Sequence, residues 1–204
     1  MGRRLQLCLL VMASMWVSTP AAAQFNLGLG AGLQACTPNG EADCESTLPF
    51  GHLWGLMEYR FGGRVGWSVE YDYGAYWPTG TGSDRLSLRS SHLMTVVRGY
   101  FDYGLWDLYG GVGMGLSTLT QSDSVAEETL SSFETYWAGL ALSLGALRPW
   151  DLADGLHWGV RVEHVFHLTG ETCVVLAGAQ DCRDTEDSDV SGQLQVALDV
   201  RYVF

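Results

Sequence analysis

The sequence contains no lysine: all 11 of its basic residues other than histidine are arginines, against 23 aspartates and glutamates. The formal net charge is −12 at pH 7. Because binding to nucleic acid requires a basic surface that neutralises phosphates, this balance argues against nucleic acid as a partner.

Long apolar runs are missing after residue 23. No stretch of residues 24–204 approaches the roughly 18 apolar residues of a transmembrane helix, which excludes a helical membrane protein. The early run Leu5–Val17 follows Arg3 and Arg4 and precedes Ala21-Ala22-Ala23, the three parts of a secretory signal peptide. An uncleaved anchor is the alternative, but the run is shorter than the about 20 residues that a bilayer requires.

We therefore predict a signal peptide at residues 1–23 and one domain at residues 24–204. Cleavage removes two arginines and no acid, so the mature charge is 9 − 23 = −14. Cys8 lies inside the apolar run rather than at the mature N-terminus, so a lipoprotein anchor is not expected.

Cysteine is scarce, and the four cysteines outside the signal peptide form two close pairs, Cys36 with Cys44 and Cys173 with Cys182. An exported chain meets an oxidising compartment, which predicts disulfides. Each would close a loop of about ten residues and contribute about 2–3 kcal/mol. A zinc site is the alternative, but the spacing is too long for CxxC, so we predict no metal and no other cofactor.

The stretch Gln193–Phe204 alternates strictly between apolar and polar residues. Its even-numbered residues, from Leu194 to Tyr202 and Phe204, are apolar, while Gln195, Asp199 and Arg201 fall on the other face. A period of two predicts a β-strand. A charged face does not suit the core of a soluble protein, but it suits a barrel whose apolar face meets lipid and whose polar face lines the lumen.

Seven further segments show the same alternation. They are residues 25–34, 50–61, 64–77, 86–101, 105–118, 133–147 and 155–168. The total of eight strands is even, as single-chain outer-membrane barrels require, and each is near or above the about 9–11 residues that cross a bilayer. In the fourth segment, Leu86 and Leu88 have the opposite parity to Leu93 and Val97, which predicts a bulge near residues 90–92.

The connections between these segments fall into two kinds. Gly62-Gly63, Asp102–Gly104 and residues 147–154 are short, whereas residues 35–49, 78–85, 119–132 and 169–192 are polar and mostly long. Short turns at one rim and long loops at the other are typical of outer-membrane barrels and are not expected of a soluble sandwich. Aromatic residues also cluster near the strand ends, as interfacial belts do.

With Phe204 at its end and Tyr202 before it, the chain resembles the small eight-stranded OmpA/OmpX-type outer-membrane barrels over residues 24–204. The resemblance implies an all-β, eight-stranded antiparallel up-and-down transmembrane β-barrel, monomeric, without a periplasmic domain. It implies outer-membrane lipid and lipopolysaccharide as surroundings, and a barrel-assembly machinery that reads Tyr202 and Phe204.

The parity of the strands places eleven charged residues in the lumen: Glu58, Arg60, Arg64, Glu70, Asp72, Arg98, Asp107, Arg161, Glu163, Asp199 and Arg201. Arginine at the bilayer midplane costs about 2–4 kcal/mol on the lipid face, whereas these charges can pair inside. We predict a lumen plugged by ion pairs. A narrow ion path through rearranging pairs is the alternative.

No catalytic residues are expected. His157 and His167 share the inward face of the seventh strand with Arg161 and Glu163, but they lie too far apart to share a metal. For a lipid A deacylase or acyltransferase, the outward His164 is the candidate base. Its expected neighbours on adjacent strands offer no outward serine as nucleophile, and the His-x-Ser pattern is absent.

The long connections carry most of the excess acid: Glu41, Asp43, Glu45, Asp123, Glu127, Glu128, Glu171, Asp181, Asp184, Glu186, Asp187 and Asp189. A solvated, repulsive surface is the simplest interpretation, and loose binding of Ca²⁺ or Mg²⁺ is another. Disulfide-held loops are also preorganised for contact with a partner. We therefore predict a structural role in the envelope, with adhesion as the alternative and a channel or lipid-modifying enzyme after it.

Overall fold

The fold is a set of antiparallel strands, seen here in a computed structural model of the chain. The structure describes residues 23–37, 50–75, 84–125, 128–151, 153–176, 179–184 and 192–204. They form β1 (Gln24–Thr37), β2 (Phe50–Phe61), β3 (Val65–Ala75), β4 (Asp84–Tyr103), β5 (Trp106–Val125), β6 (Glu128–Pro149), β7 (Leu156–Leu176), β8 (Ala179–Asp184) and β9 (Gly192–Val203). Residues 1–22 of the predicted signal peptide lie outside the described residues, as does Cys44 with the predicted Cys36–Cys44 pair.

Eight of the nine strands close into a ring. The sheet runs β6-β5-β4-β3-β2-β1-β9-β7, and β6 pairs with β7 to complete it. All of these pairings are antiparallel. The predicted eight-stranded, up-and-down β-barrel is thus confirmed. Among the described residues, no helix is long and apolar enough to cross a membrane.

The two faces of the barrel wall have opposite chemistry. On β3, Trp67 and Tyr71 point outward with 49% and 51% of their surface exposed, while Glu70 and Asp72 between and beside them are 0% exposed. On β9, Leu198 is 64% exposed and Asp199 is 0% exposed. The period-two pattern therefore corresponds to an apolar outside and a charged inside.

The three connections that the sequence predicts to be short, β2–β3, β4–β5 and β6–β7, all lie at one end of the barrel, which we call the turn end. Their sharp reversals use glycines with positive φ, among them Gly62 and Gly63 (58° and 76°), Gly104 (66°) and Gly155 (76°), a conformation that costs glycine little. The strand ends of β1 and β9 lie here too, because the Phe204 N–H donates to the Phe25 carbonyl (2.9 Å). The opposite end is called the loop end.

The predicted bulge in the fourth strand is wrong. β4 keeps one uninterrupted register with β3 and with β5, including residues 90–92. The irregularities lie elsewhere, between Asp123 and Ser124 and between Ala138 and Gly139. The bulge was inferred because the apolar residues of this segment change parity. That inference fails because β4 has apolar residues on both faces: Met94 and Val96, which share the parity of Leu86 and Leu88, lie inside the barrel and are each at most 1% exposed.

Two of the predicted long loops are largely strand. β5 and β6 continue to Val125 and from Glu128, within the predicted loop 119–132. β7 continues to Leu176 and pairs with the additional strand β8. The extensions of β5 and β6 are mostly polar, and that of β7 ends on three consecutive apolar residues, Val174, Val175 and Leu176. The alternation that marks the barrel strands therefore stops although the hydrogen-bonded ladder continues.

A disulfide joins the β7–β8 hairpin at its centre. Cys173 and Cys182 are direct cross-strand partners with Cα atoms 4.0 Å apart, and their sulfurs are bonded. The second predicted cysteine pair is therefore confirmed. It fixes a hairpin that lies outside the ring of eight strands.

Space for the inward side chains comes from glycines on neighbouring strands. Arg60 and Arg98 both lie opposite Gly66, Arg161 opposite Gly145, and Arg201 opposite Gly28. Inward rings follow the same rule, in the pairs Trp54–Gly30, Tyr109–Gly145 and Trp137–Gly170. A Cβ atom on Gly145 would collide with the Tyr109 ring. The interior of an eight-stranded barrel is only wide enough to be filled by side chains. A large inward side chain therefore needs a glycine as its cross-strand neighbour.

Candidate functional site

The interior of the barrel holds a cluster of ionic side chains, here called the charged lumen. Its members, each at most 6% exposed, are Glu58, Arg60, Glu70, Asp72, Arg98, Arg161, Glu163, Asp199 and Arg201. The cluster thus contains five acids and four arginines. Transfer of so many charges out of water is costly unless each is paired.

Of the two other charged residues assigned to the lumen by parity, Asp107 lies at its turn-end mouth and Arg64 lies outside it. The Asp107 side chain is 29% exposed at the turn end, where it still reaches Arg60 at 3.6 Å. Arg64 does not face inward, and this prediction is wrong: it is exposed in the β2–β3 turn. The strand begins at Val65, so the alternation was extended one residue too far into a turn.

Glu58 is the centre of the cluster near the turn end. Its Oε2 accepts hydrogen bonds from the Tyr100 hydroxyl (2.5 Å) and Arg201 Nη1 (3.2 Å). Its Oε1 accepts from Arg60 Nε (3.0 Å) and Asn26 Nδ2 (2.9 Å). One carboxylate therefore ties together β1, β2, β4 and β9.

A second carboxylate near the turn end, Asp199, also forms an ion pair with Arg201. Arg201 Nη2 donates to Asp199 Oδ2 at 2.7 Å, and the Tyr109 hydroxyl donates to the same oxygen at 3.1 Å. Arg201 thus lies between two acids. This arrangement joins β9 to β5 across the interior.

Arg98 connects this lower cluster to the middle of the barrel. Its Nη1 lies 3.5 Å from Glu58 Oε2 and its Nη2 lies 2.5 Å from Glu70 Oε1. Ser68 Oγ accepts from Arg98 (2.7 Å) and lies 2.5 Å from Glu70. The guanidinium therefore bridges two carboxylates at different heights.

Arg161 is the centre of the part of the charged lumen that lies nearer the loop end, and it contacts three carboxylates. Its Nη1 lies 2.7 Å from Glu70 and 3.4 Å from Glu163, and its Nη2 lies 2.6 Å from Asp72. All four of these side chains are 0% exposed. A continuous chain of ion pairs thus runs from Glu58 through Arg98 and Arg161 to Asp72.

Each buried arginine also lies near an aromatic ring. The guanidinium carbon of Arg60 is 3.5 Å from the Tyr100 ring centroid, and that of Arg161 is 4.0 Å from Trp54. Arg98 and Arg201 approach Tyr109 at 5.3 and 4.7 Å. A planar guanidinium can stack its face on a ring while the N–H groups at its edge donate to carboxylates, whereas an ammonium group has no flat face to stack. This gives a physical reason for arginine at these positions in a chain without lysine.

Three inward histidines lie above the ion pairs, toward the loop end. We call His52, His92 and His167 the histidine layer; they are at most 4% exposed. His92 Nε2 lies 2.7 Å from Gln193 Oε1, and its Nδ1 lies 2.8 Å from Ser117 Oγ. Of these three, only His167 is expected in the lumen from the sequence, although His52 and His92 also fall on the inward parity of their strands.

His164 points outward, as its parity predicts, and has a partner that the sequence did not reveal. Its Nε2 lies 2.9 Å from Oγ1 of Thr37, two strands away. The contact passes over Gly192, where a Cβ would lie 2.7 Å from that oxygen. The ring also packs on Phe166, with centroids 4.1 Å apart. Among the described residues, His164 Nδ1 has no hydrogen-bond partner, so no third group polarises the ring as in a base that activates a nucleophile. The pair satisfies two polar groups on the outer wall.

A metal site finds no support in the described part of the chain, where no group of three or more His, Cys, Asp or Glu residues could hold an ion. The three histidines do not converge on one point. His92 and His167 instead stack with ring centroids 6.3 Å apart.

Comparison with known proteins gives a fold but no family. No family model matches the chain, and no curated protein matches its sequence. The barrel is similar to Neisserial surface protein A, with 11% identity over 87% of this chain and 96% of that chain and a TM-score of 0.60. It is also similar to a major outer membrane protein from Thermus thermophilus, with 14% identity, 90% and 100% coverage and a TM-score of 0.64. It is similar as well to Ail, the attachment invasion locus protein of Yersinia pestis, with 12% identity over 89% of this chain and 99% of that chain and a TM-score of 0.55. At these identities the likeness concerns the fold alone.

The ion-pair network predicts unequal effects for two arginines that the sequence presents alike. Arg161→Met leaves three buried carboxylates without their shared cation, so we expect the free energy of unfolding to fall by about 3–5 kcal/mol. Arg64→Met removes an exposed charge and should change it by no more than about 0.5 kcal/mol. Urea titration of the refolded proteins, followed by tryptophan fluorescence, measures both. Equal losses in the two variants would contradict the assigned network.

Proposed function

We propose that this chain, which has the fold of the small eight-stranded outer-membrane barrels, is an integral protein of a bacterial outer membrane. Leu29 is 73% exposed on the outer wall, and Met114 and Leu144 are each at least 65% exposed. Monomeric soluble proteins rarely expose a contiguous apolar surface of this extent. Outer-membrane barrels have their short turns in the periplasm and their long loops outside the cell, so the turn end would face the periplasm and the loop end the exterior.

The polar groups on the outer wall support contact with lipid. Trp67 Nε1 donates to Thr95 Oγ1 at 2.8 Å, and the hydroxyls of Ser91 and Thr118 lie 2.6 Å apart. In hydrocarbon an unsatisfied polar group costs several kcal/mol, because no water can replace the missing partner. Polar side chains that bond to one another on an exposed surface are therefore what a lipid environment demands.

Aromatic contacts at the turn end supply a further argument for a membrane interface. Tyr202 and Tyr59 lie beside Phe204 and Phe61, with ring centroids 4.7 and 4.8 Å apart. Phe25 lies 5.9 Å from Phe204. Amphipathic rings favour the level of the lipid headgroups. Tyr202 and Phe204 also remain our proposed recognition signal for the assembly machinery, after export directed by residues 1–23.

The proposed role is structural: a monomeric barrel that spans the membrane and contributes to envelope integrity, surrounded by lipid and lipopolysaccharide. The observation that carries this proposal is the unbroken chain of buried ion pairs from Glu58 to Asp72. Side chains that occupy the lumen and bind one another leave no path for water or ions at neutral pH. We infer that the lumen is plugged.

Depth in the membrane predicts how two equally exposed leucines respond to a charge. Leu198 lies in mid-strand on β9 and Leu105 lies in the β4–β5 turn, and they are 64% and 66% exposed. In lipid vesicles, Leu198→Arg should lower the free energy of unfolding by about 2–4 kcal/mol, and Leu105→Arg by about 0–1 kcal/mol. Urea titration in vesicles measures the difference. If both substitutions are neutral, the outer wall does not face hydrocarbon.

Conductance tests the plugged lumen directly. Purified barrel reconstituted in a planar bilayer at pH 7.5 should give no steady channels, because the ion-pair network fills the interior. A variant that removes the two arginines linking Glu58 to Asp72, Arg98→Ala with Arg161→Ala, should conduct if it folds. Steady channels from the unaltered protein at pH 7.5 would show that the lumen is open.

Adhesion is the second candidate, and the β7–β8 hairpin favours it. The hairpin lies outside the ring, is fixed by the Cys173–Cys182 disulfide, and exposes Glu171, Asp181 and Asp184. Glu171 and Asp184 are direct cross-strand partners, a like-charge pair that costs stability. A cation or a basic partner would relieve this repulsion. Ail has been crystallised with a heparin analogue, sucrose octasulfate, but this acidic hairpin repels such polyanions.

Binding of a basic protein to cells that display the barrel tests adhesion, with arginine-rich protamine as the probe. We expect binding that weakens as salt rises and falls in Glu171→Gln with Asp184→Asn. Replacing the exposed turn-end acids Asp102 and Asp154 by asparagine is the matched control and should change nothing. If the two double variants bind protamine equally, the hairpin is not the contact. The acidic loops could hold Ca²⁺ or Mg²⁺ only loosely, and competition by these ions against protamine reports on that.

A further inference from the structure

We propose that a polar patch on the outer wall, at the loop end, binds the phosphorylated sugar headgroup of an outer-leaflet glycolipid. The inference rests on the proposed function, since only a barrel in an outer membrane meets such a lipid. It deepens that proposal by naming one lipid class and the residues that contact it. The members of the patch are Arg89, Ser91, Thr118, Thr120, Glu134 and Tyr136.

The patch is formed by two adjacent cross-strand rows on β4, β5 and β6. The rows are Arg89–Thr120–Glu134 and Ser91–Thr118–Tyr136. Their neighbours along the strands, Ser90, Ser117 and Trp137, lie inside the barrel and are at most 5% exposed. Since successive side chains of a strand point to opposite faces, the six members of the patch lie on the outer wall.

The patch begins at the height where the apolar wall ends. On β5 the outward residues from Leu108 to Leu116 are all apolar or glycine, and Thr118 follows them. At about 3.4 Å per residue and a tilt of about 40°, the step from Leu108 to Thr118 rises about 25 Å along the membrane normal. The apolar band of outer-membrane barrels is about 25 Å tall. The patch therefore lies at the level of the outer headgroups.

Arg89 supplies the cation that a phosphate group requires. Its side chain is exposed, and among the described residues it has no ion-pair partner. The acid of the patch, Glu134, lies two strands away and accepts instead from the Tyr136 hydroxyl at 2.5 Å. The N–H groups at the edge of a guanidinium match two oxygens of one phosphate. Arg89 is thus placed to bind an anion from the headgroup layer.

The rest of the patch suits a sugar. The hydroxyls of Ser91 and Thr118 lie 2.6 Å apart, and Tyr136 is 43% exposed. Hydroxyls both donate and accept, whereas a carboxylate only accepts. Glu134 therefore favours a headgroup that carries hydroxyl or amide donors and disfavours a second phosphate. A phosphorylated sugar supplies both the anion and the donors.

The charges around the patch determine how the headgroup lies. Glu171 on β7 follows Tyr136 in the same cross-strand row and is exposed. Asp184 lies opposite Glu171 on β8. Negative charge thus increases from β4 toward β8. The phosphate therefore lies over Arg89 on β4, and the uncharged sugar lies toward Glu134 on β6.

Native mass spectrometry of the full barrel, mixed in detergent with monophosphoryl lipid A, tests the patch. We expect the lipid to be retained, and we expect Arg89→Gln and Glu134→Gln each to weaken its binding about tenfold, because each removes hydrogen bonds to a charged group. Phosphatidylglycerol has a phosphate but no sugar and should bind about tenfold more weakly. Arg148→Gln is the matched control, because Arg148 lies on β6 near the turn end, and should change nothing.

Removal of the phosphate isolates its contact with Arg89. Dephosphorylated lipid A should bind the unaltered protein about tenfold more weakly than monophosphoryl lipid A. In Arg89→Gln this difference should vanish, because the pairwise contact is already absent. Circular dichroism verifies that each variant is folded.

The proposal is overturned if the unaltered barrel retains no lipid A or retains phosphatidylglycerol equally well. It is also overturned if Arg148→Gln weakens binding as much as Arg89→Gln, or if the phosphate effect persists in Arg89→Gln. These results leave the membrane location standing, because the Leu198→Arg and Leu105→Arg variants test that location independently. If those two variants are equally neutral in vesicles, the proposed function itself fails.

Discussion

The structure depends on one constraint: a charge that leaves water must find an opposite charge in the same dry space. Inside this barrel each charge forms ion pairs with several opposite charges. Glu58 pairs with Arg60, Arg98 and Arg201, while Arg161 pairs with Glu70, Asp72 and Glu163. Since each group has several partners on different strands, the register of one strand fixes that of the next. The network thus specifies the closed arrangement, whatever its net contribution to stability.

Shared pairing needs room, and the sequence supplies it on the opposite strand. Tyr109 and Arg161 both flank Gly145, and Arg98 lies opposite both Gly66 and Gly111. A glycine inside a strand weakens the strand on its own account. Here it admits a guanidinium and a ring where two large side chains could not fit. Glycine content and arginine preference are therefore two aspects of one packing solution.

The sequence was sufficient for the fold because the barrel wall imposes a period of two, and a period of two is visible in single residues. It predicted the ring of eight strands, the short turns and the outward leucines. It failed at the ends of strands. Arg64 continues the alternation into a turn, and the extensions of β5 and β7 lack the apolar–polar alternation that would reveal them. Contacts that cross the interior or skip a strand, such as His92 with Gln193 and Thr37 with His164, depend on closure and register. No local pattern encodes them.

The lumen consists of two parts with different chemistry. Its lower and middle levels hold arginines, whose charge is fixed at any physiological pH, together with the acids that neutralise them. Its upper level holds three of the five histidines in the chain, and histidine is the side chain whose charge ordinarily changes in that range. Ion pairs join different strands at the lower and middle levels, whereas hydrogen bonds and stacked rings join them at the level of the histidines. The interior thus ties the strands together in two ways, by charge in the lower and middle levels and by uncharged amide, hydroxyl and ring groups around the histidines near the loop end.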